Sequence, residues 1–294
     1  MNKIKKVGII IIVVAICLVV GHIIYLFTLT PKENYPEDKY LQNEENKKAL
    51  IIVAHDDDAV LFSGTTSLLA AKGWDVNFLC FYTHLHRPED NPIRKLEMKH
   101  VAEIQGLNCL DLIDFAIERD KTEQGWMPIP YDEFSERYKI DTLRLYIYES
   151  IAKYDPSIIF ILDNVIGFYG NPAHVVVGQV VEEICKSNKD SIDFPVKKIY
   201  QVVYPPSMAE KIMGDKGAYQ YGKEIYHCDG MPEPDVQIDI SSFAMTKKRV
   251  HLAHASQHRN LKKFIPYYHI YPGWIYFRIF KYEYFNVIEF KKKL

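Results

Sequence analysis

At 294 residues, with 48% apolar and 25% charged side chains, the chain has the make-up of a globular protein, which excludes disordered and fibrous classes. Its 36 Lys and Arg against 38 Asp and Glu leave a formal net charge of −2, so there is no basic footprint for a phosphate backbone and nucleic acid is excluded as a partner.

In chain order, residues 1–6 form a basic flank with Lys3, Lys5 and Lys6, followed by an almost uninterrupted apolar run from Val7 to Phe27. A run of that length can cross a bilayer as a helix. The residues that follow, Thr28-Leu29-Thr30-Pro31, lack the small-residue cleavage site of a signal peptide, so residues 7–28 read as an uncleaved transmembrane anchor. The lysines are expected to stay cytoplasmic, which makes the chain a single-pass membrane protein with its domain on the extracytoplasmic side. Residues 29–48 are polar and charged and read as a solvated linker, with the folded domain over 49–294. The cysteines are scattered without the close pairs of a zinc ribbon and read as single thiols.

Within the domain, strand-like apolar runs alternate with segments of helical period. ALIIVA (49–54) is followed by a helix over 61–72, VNFLCFYT (76–83) by a helix over 93–105, and a helix over 141–154 precedes SIIFIL (157–162). A helix over 173–186 and the strand KKIYQVVY (197–204) come next. This alternation predicts an α/β fold, a Rossmann-like parallel sheet flanked by helices. In such sheets ligands bind at the carboxyl ends of strands, so functional residues should follow ALIIVA and SIIFIL.

They do. After the first strand, His55-Asp56-Asp57-Asp58 packs an imidazole and three carboxylates onto one strand-to-helix turn. Like charges that close repel, and a divalent metal that takes an imidazole and a carboxylate relieves the repulsion. The competing reading is one Asp capping the next helix while the others face water. After the later strand comes His174, in Asn171-Pro172-Ala173-His174 at the start of a helix on the same rim. Two ligands from one turn and one from a distant turn is the pattern of a catalytic zinc site, which keeps one position open.

The run AHDDDAVLFSG (54–64), Arg94-Lys95-Leu96-Glu97 leading to AEIQGL (102–107), Tyr169 to His174, and Lys248 to Gln257 with its closing His-Ala-Ser-Gln together resemble the PIG-L/LmbE-like N-acetylglucosaminyl deacetylases, in that family's order. The resemblance implies a Rossmann-like fold and zinc, or another divalent metal, removing acetyl groups from an N-acetylated sugar, glycan or glycolipid. Residue by residue, it makes His55, Asp58 and His174 the metal ligands and Asp57 the general base. It makes Tyr169 a donor to the oxygen that becomes negative, and Arg94 a substrate-facing arginine with Glu97 holding it. Where the family often has His, Asp and Glu, this chain has Asn171, Ala173 and Ala59; Asn171 can still donate a hydrogen bond but cannot deliver a proton. Asp56 replaces the family proline and needs only water or a lysine to satisfy it. These departures give the alternative reading, a weakened or inactive sugar-binding relative.

His84 and His86 read as polar loop residues, and Trp126 to Tyr131 as a hydrophobic tether rather than a lid. His254, Ser256 and Gln257 read as packing partners. The aromatic stretch from Phe264 to Phe285 reads as core-covering strands, with a membrane-surface role or stacking faces for sugar rings as the competing readings.

Overall fold

The computed structural model describes residues 3–290; the first two residues of the basic flank and the last four of the domain lie outside the described residues. Inside its sheet runs β1, Lys48–Val53, whose residues beyond Lys48 are all buried. A run of branched aliphatics covered on both faces is what a central parallel strand requires. β2 (Asp75–Phe81), β3 (Cys109–Ile113), β4 (Ile158–Leu162) and β5 (Lys198–Val203) run parallel with it. β6 (Val236–Asp239) and β7 (Tyr282–Glu289) complete a seven-stranded sheet in the order β3-β2-β1-β4-β5-β7-β6.

The α/β fold with flanking helices agrees with the sequence reading, but the sheet is mixed. β7 inserts antiparallel between β5 and β6, because the chain returns through the helix Gly273–Ile279 and pairs its aromatic strand with the open edge of β5. The stretch read as covering strands is therefore part helix and part sheet. The predicted helices at 93–105, 141–154 and 173–186 appear as Asn91–Gln105, Ile140–Tyr154 and Pro172–Asn188. That at 61–72 begins with a 3-10 turn, Asp58–Phe62, before the helix Ser63–Ala71.

Of residues 29–48, read as a solvated linker, the part from Pro31 onward is packed on the domain. The outer edge of β6 would otherwise present unpaired backbone groups, and this segment covers it. Gln237 N–H donates to Pro36 O at 2.9 Å and Asp38 N–H to Gln237 O at 3.1 Å. The buried Asp38 carboxylate accepts from Tyr200 O–H and Leu41 N–H, each at 2.8 Å.

The N-terminal helix Lys3–Leu29 is the one helix among the described residues long and apolar enough to cross a membrane. Its apolar side chains between Val7 and Val20 are exposed, whereas Leu26 and Leu29 near its end are buried against the domain.

What positions the site is the neighbourhood of β1 and β4. After β1 the chain steps outward through β2 to β3, then returns to place β4 on the other side of β1. The loops leaving β1 and β4 therefore meet at the switch point where such sheets hold ligands.

Candidate metal centre

The turn after β1 carries His55 to Asp58. The Asp58 carboxylate reaches back over it, accepting from His55 N–H at 2.8 Å, which fixes the turn before any ion is considered. The loop after β4 is set by Asp163. Its buried carboxylate accepts from the backbone N–H groups of Val165, Ile166, Gly167 and Phe168. Burial pushes this carboxyl above its ordinary range, against the pull of those four donors.

Gly167 occupies the left-handed region at φ 61°, and a Cβ there would lie 2.9 Å from the His174 Cβ. Its carbonyl accepts from His174 Nδ1–H at 2.9 Å. That bond orients the ring so that Nε2 of His174 faces the site.

The two turns converge. His174 Nε2 lies 3.0 Å from Asp58 Oδ1 and 2.9 Å from His55 Nδ1, and His55 Nδ1 lies 3.5 Å from Asp58 Oδ2. One ligand atom from each of the three residues falls within 4.8 Å of the others. Two imidazoles and a carboxylate, one imidazole oriented from behind by a carbonyl, are a donor set that could hold a divalent metal ion with a position left open. Burial alone would raise Asp58, yet the adjacent histidines hold it well below the carboxylate range. His55 is pushed down by burial and up by Asp58, and ends at about 9. Such a concentration of charge in a cleft makes this the candidate functional site.

The trio lies in the wall of a cavity of about 980 Å³ that Asp57, His84, Arg94, Trp126 and Tyr169 also line. Asp57 accepts through Oδ1 from Arg94 Nη2 at 3.0 Å, while its Oδ2 has no protein partner among the described residues. Tyr169 packs its ring edge-on to His174 at 5.3 Å and stacks on Phe264 at 4.2 Å. Burial and then the Asp58 charge raise its hydroxyl above the ordinary range, which keeps it a donor.

Several candidate site residues are engaged differently from the reading of the sequence. Arg94 lines the cavity, yet its Nη2 is held 2.5 Å from Asp56 Oδ1 as well as by Asp57. Glu97 does not hold it. The Glu97 carboxylate instead accepts from Ser256 N–H at 2.8 Å and Ser256 O–H at 2.7 Å, so that serine is a structural partner as read. Asn171 is spent locally. Its Oδ1 caps the helix Pro172–Asn188 through Ala173 N–H at 2.9 Å, and its Nδ2 donates to Tyr169 OH at 3.1 Å.

Asp56 is the largest surprise. It has no exposed surface, and instead of water or a lysine it finds Arg94, His84 Nε2 at 3.1 Å and, more distantly, His254 Nδ1 at 3.9 Å. Burial would raise its pKa, but the His84 hydrogen bond and the Arg94 charge bring it well below the usual range. His84, read as an ordinary loop residue, is thereby pulled in to stack on His55 with ring centres 5.1 Å apart. His86 stays exposed.

The family model PIG-L, described as GlcNAc-PI de-N-acetylase, matches residues 50–185. No curated protein sequence matches the chain. Among solved structures, N,N'-diacetylchitobiose deacetylase from Pyrococcus horikoshii aligns with a TM-score of 0.52 at 18% identity, covering 85% of this chain and 89% of that one. The 4-carboxy-2-hydroxymuconate hydratase GalB from Pseudomonas putida KT2440 aligns at 0.53 and 15%, covering 84% and 98%. A zinc-inhibited form of teicoplanin deacetylase Orf2 aligns at 0.52 and 13%, covering 82% and 98%. At such identities the likeness is one of fold, and that fold serves a hydratase as well as deacetylases. The match over residues 50–185, with the mixed seven-stranded sheet behind it, gives the folded domain of this chain the PIG-L fold.

Proposed function

We propose that the chain is a membrane-anchored, zinc-dependent N-deacetylase that hydrolyses the acetamido group of an N-acetylglucosamine-containing glycan or glycolipid. The observation that carries this reading is the convergence of His55, Asp58 and His174 in the wall of a cavity large enough for a sugar. A divalent ion held there would act as a Lewis acid, polarising a carbonyl and acidifying water.

The chain's own groups divide the remaining work. Asp57 keeps Oδ2 free to take a proton from the attacking water, while Arg94 holds its other oxygen and fixes the carboxylate's direction. Tyr169 receives a hydrogen bond from Asn171, which leaves its O–H to donate to the acyl oxygen as charge develops there. Asn171 thus acts through Tyr169. The proton carried by Asp57 is the one available to the departing amine, because Asn171 cannot supply one.

The comparisons support this reading in that deacetylases recur among the folds most like this one. The helix Lys3–Leu29 supports the anchor, and the lysines in its first turns support an extracytoplasmic domain. The reading is tested on full-length protein in detergent, by metal analysis and by acetate release from acetylated chito-oligosaccharides. About one zinc per chain and acetate release abolished by a chelator are expected. Metal bound without any acetate release would favour the sugar-binding alternative.

A further inference from the structure

The end of the helix Lys3–Leu29 is not a free stalk. Leu26 has no exposed surface, and His22 Nδ1 lies 2.7 Å from Tyr271 OH with the two rings stacked. Tyr267 meets the edges of both His22 and Tyr25, at 4.8 and 5.9 Å between ring centres. Lys211 Nζ donates to Thr30 O just beyond the helix, closing the dock.

This dock restricts depth. From Val7 to Gly21, ahead of the docked turns, the helix measures about 22 Å at the helical rise, whereas a hydrocarbon core is about 30 Å thick. A spanning helix must therefore carry residues as far as about Leu26 to the membrane boundary. Because Tyr267 and Tyr271 grip those residues, the domain surface around them is drawn to the same level.

That surface has the composition of a membrane interface. Ile270 and Trp274 are 54% and 59% exposed, large apolar side chains left uncovered on either side of Tyr271. Trp274 is three residues beyond Tyr271 and so within about 11 Å of it, Cα to Cα. Between His258 and Tyr282 the chain carries Arg259, Lys262, Lys263, Arg278 and Lys281 and no Asp or Glu. Tryptophan and tyrosine favour the headgroup layer, and lysine and arginine favour its anionic lipids.

Resting on the reading of Lys3–Leu29 as a spanning helix, we propose that the face bearing the exposed Ile270 and Trp274, beside the buried Tyr271 that grips the helix, seats on the lipid headgroup layer, with the docked helix end setting its depth. Lys263, Phe264 and Ile265 line the cavity, and Ile265 precedes Tyr267 by two residues, so the cavity rim lies beside the seated face.

The test uses the full-length chain in nanodiscs of phosphatidylcholine and phosphatidylglycerol carrying acyl chains brominated close to the headgroup, with tryptophan fluorescence as the readout. Trp74 is buried and Trp126 lies at the cavity, so each tryptophan reports a different place. Bromolipid is expected to quench part of the emission. Trp274→Phe should remove most of the quenchable part, and Trp126→Phe should leave it. Quenching that survives Trp274→Phe, or none at all in protein that co-floats with the discs, overturns the seat. Protein that does not co-float overturns the spanning helix instead.

Discussion

At the residue scale, the arrangement turns on what each carboxylate of one short turn touches. Asp58 faces two imidazoles, Asp57 keeps one oxygen open to the cavity, and Asp56 is buried against Arg94 and His84. Asp57→Asn should lower kcat by about 10²–10⁴-fold with metal content unchanged, since it removes a general base and no ligand; loss of metal in that variant would contradict the assignment. Arg94→Ala separates two roles. An arginine that only touches substrate would raise KM and leave stability alone. The observed one compensates a fully buried carboxylate, so urea unfolding of Arg94→Ala should show a loss of about 3–5 kcal/mol. The sequence made the three metal-binding candidates legible because they sit beside strand ends in a recognisable motif. It did not reveal the engagement of Arg94 by Asp56 or the recruitment of His84, because those depend on how a loop 28 residues away in the chain folds back.

At the scale of elements, the loop after β4 carries the third candidate ligand, and Asp163 is its organiser. Nothing marked Asp163 in the sequence beyond its place at a strand end; its role appears only when four N–H groups are seen to turn toward one carboxylate. Asp163→Ala strands those donors in a buried turn and should cost at least about 3 kcal/mol of stability in a denaturant melt. It should also weaken metal binding by about 10–100-fold, because the Gly167 carbonyl that orients His174 moves with the turn. Unchanged metal affinity would show that His174 holds its orientation without that carbonyl. The central strands were readable because runs such as SIIFIL are covered on both faces. β3 and β6 were not. CLDLI is an edge strand only partly buried along its length, and VQID is too short to establish a period. The segment over 31–48 looked like a linker because its charges look solvated, yet Asp38 and Glu44 are bonded into the domain.

At the scale of the whole molecule, buried histidines link stability to pH. Burial lowers the pKa of His84, His251 and His254, and His251, with no exposed surface, lies well below its ordinary 6.5. The folded form therefore stays unprotonated where the unfolded chain takes up protons, so stability must fall as pH drops below about 6.5. Each such histidine contributes up to about 1.4 kcal/mol per pH unit in that range. Urea melts at pH 7.5 and 5.5 should show this loss, and His251→Gln should reduce it; an equal loss in the variant would mean that His251 is not responsible. The molecule as a whole joins an apolar helix to a domain of PIG-L fold whose two candidate ligand-bearing turns meet at the switch point of its sheet. X-ray absorption at the zinc edge of the purified full-length protein tests that meeting most directly. One zinc with two imidazole nitrogens and carboxylate oxygen in its shell, reduced to a single imidazole or lost in His174→Ala, is the predicted result. A metal shell that His174→Ala leaves unaltered, or a folded wild-type protein that binds no divalent ion, would contradict it.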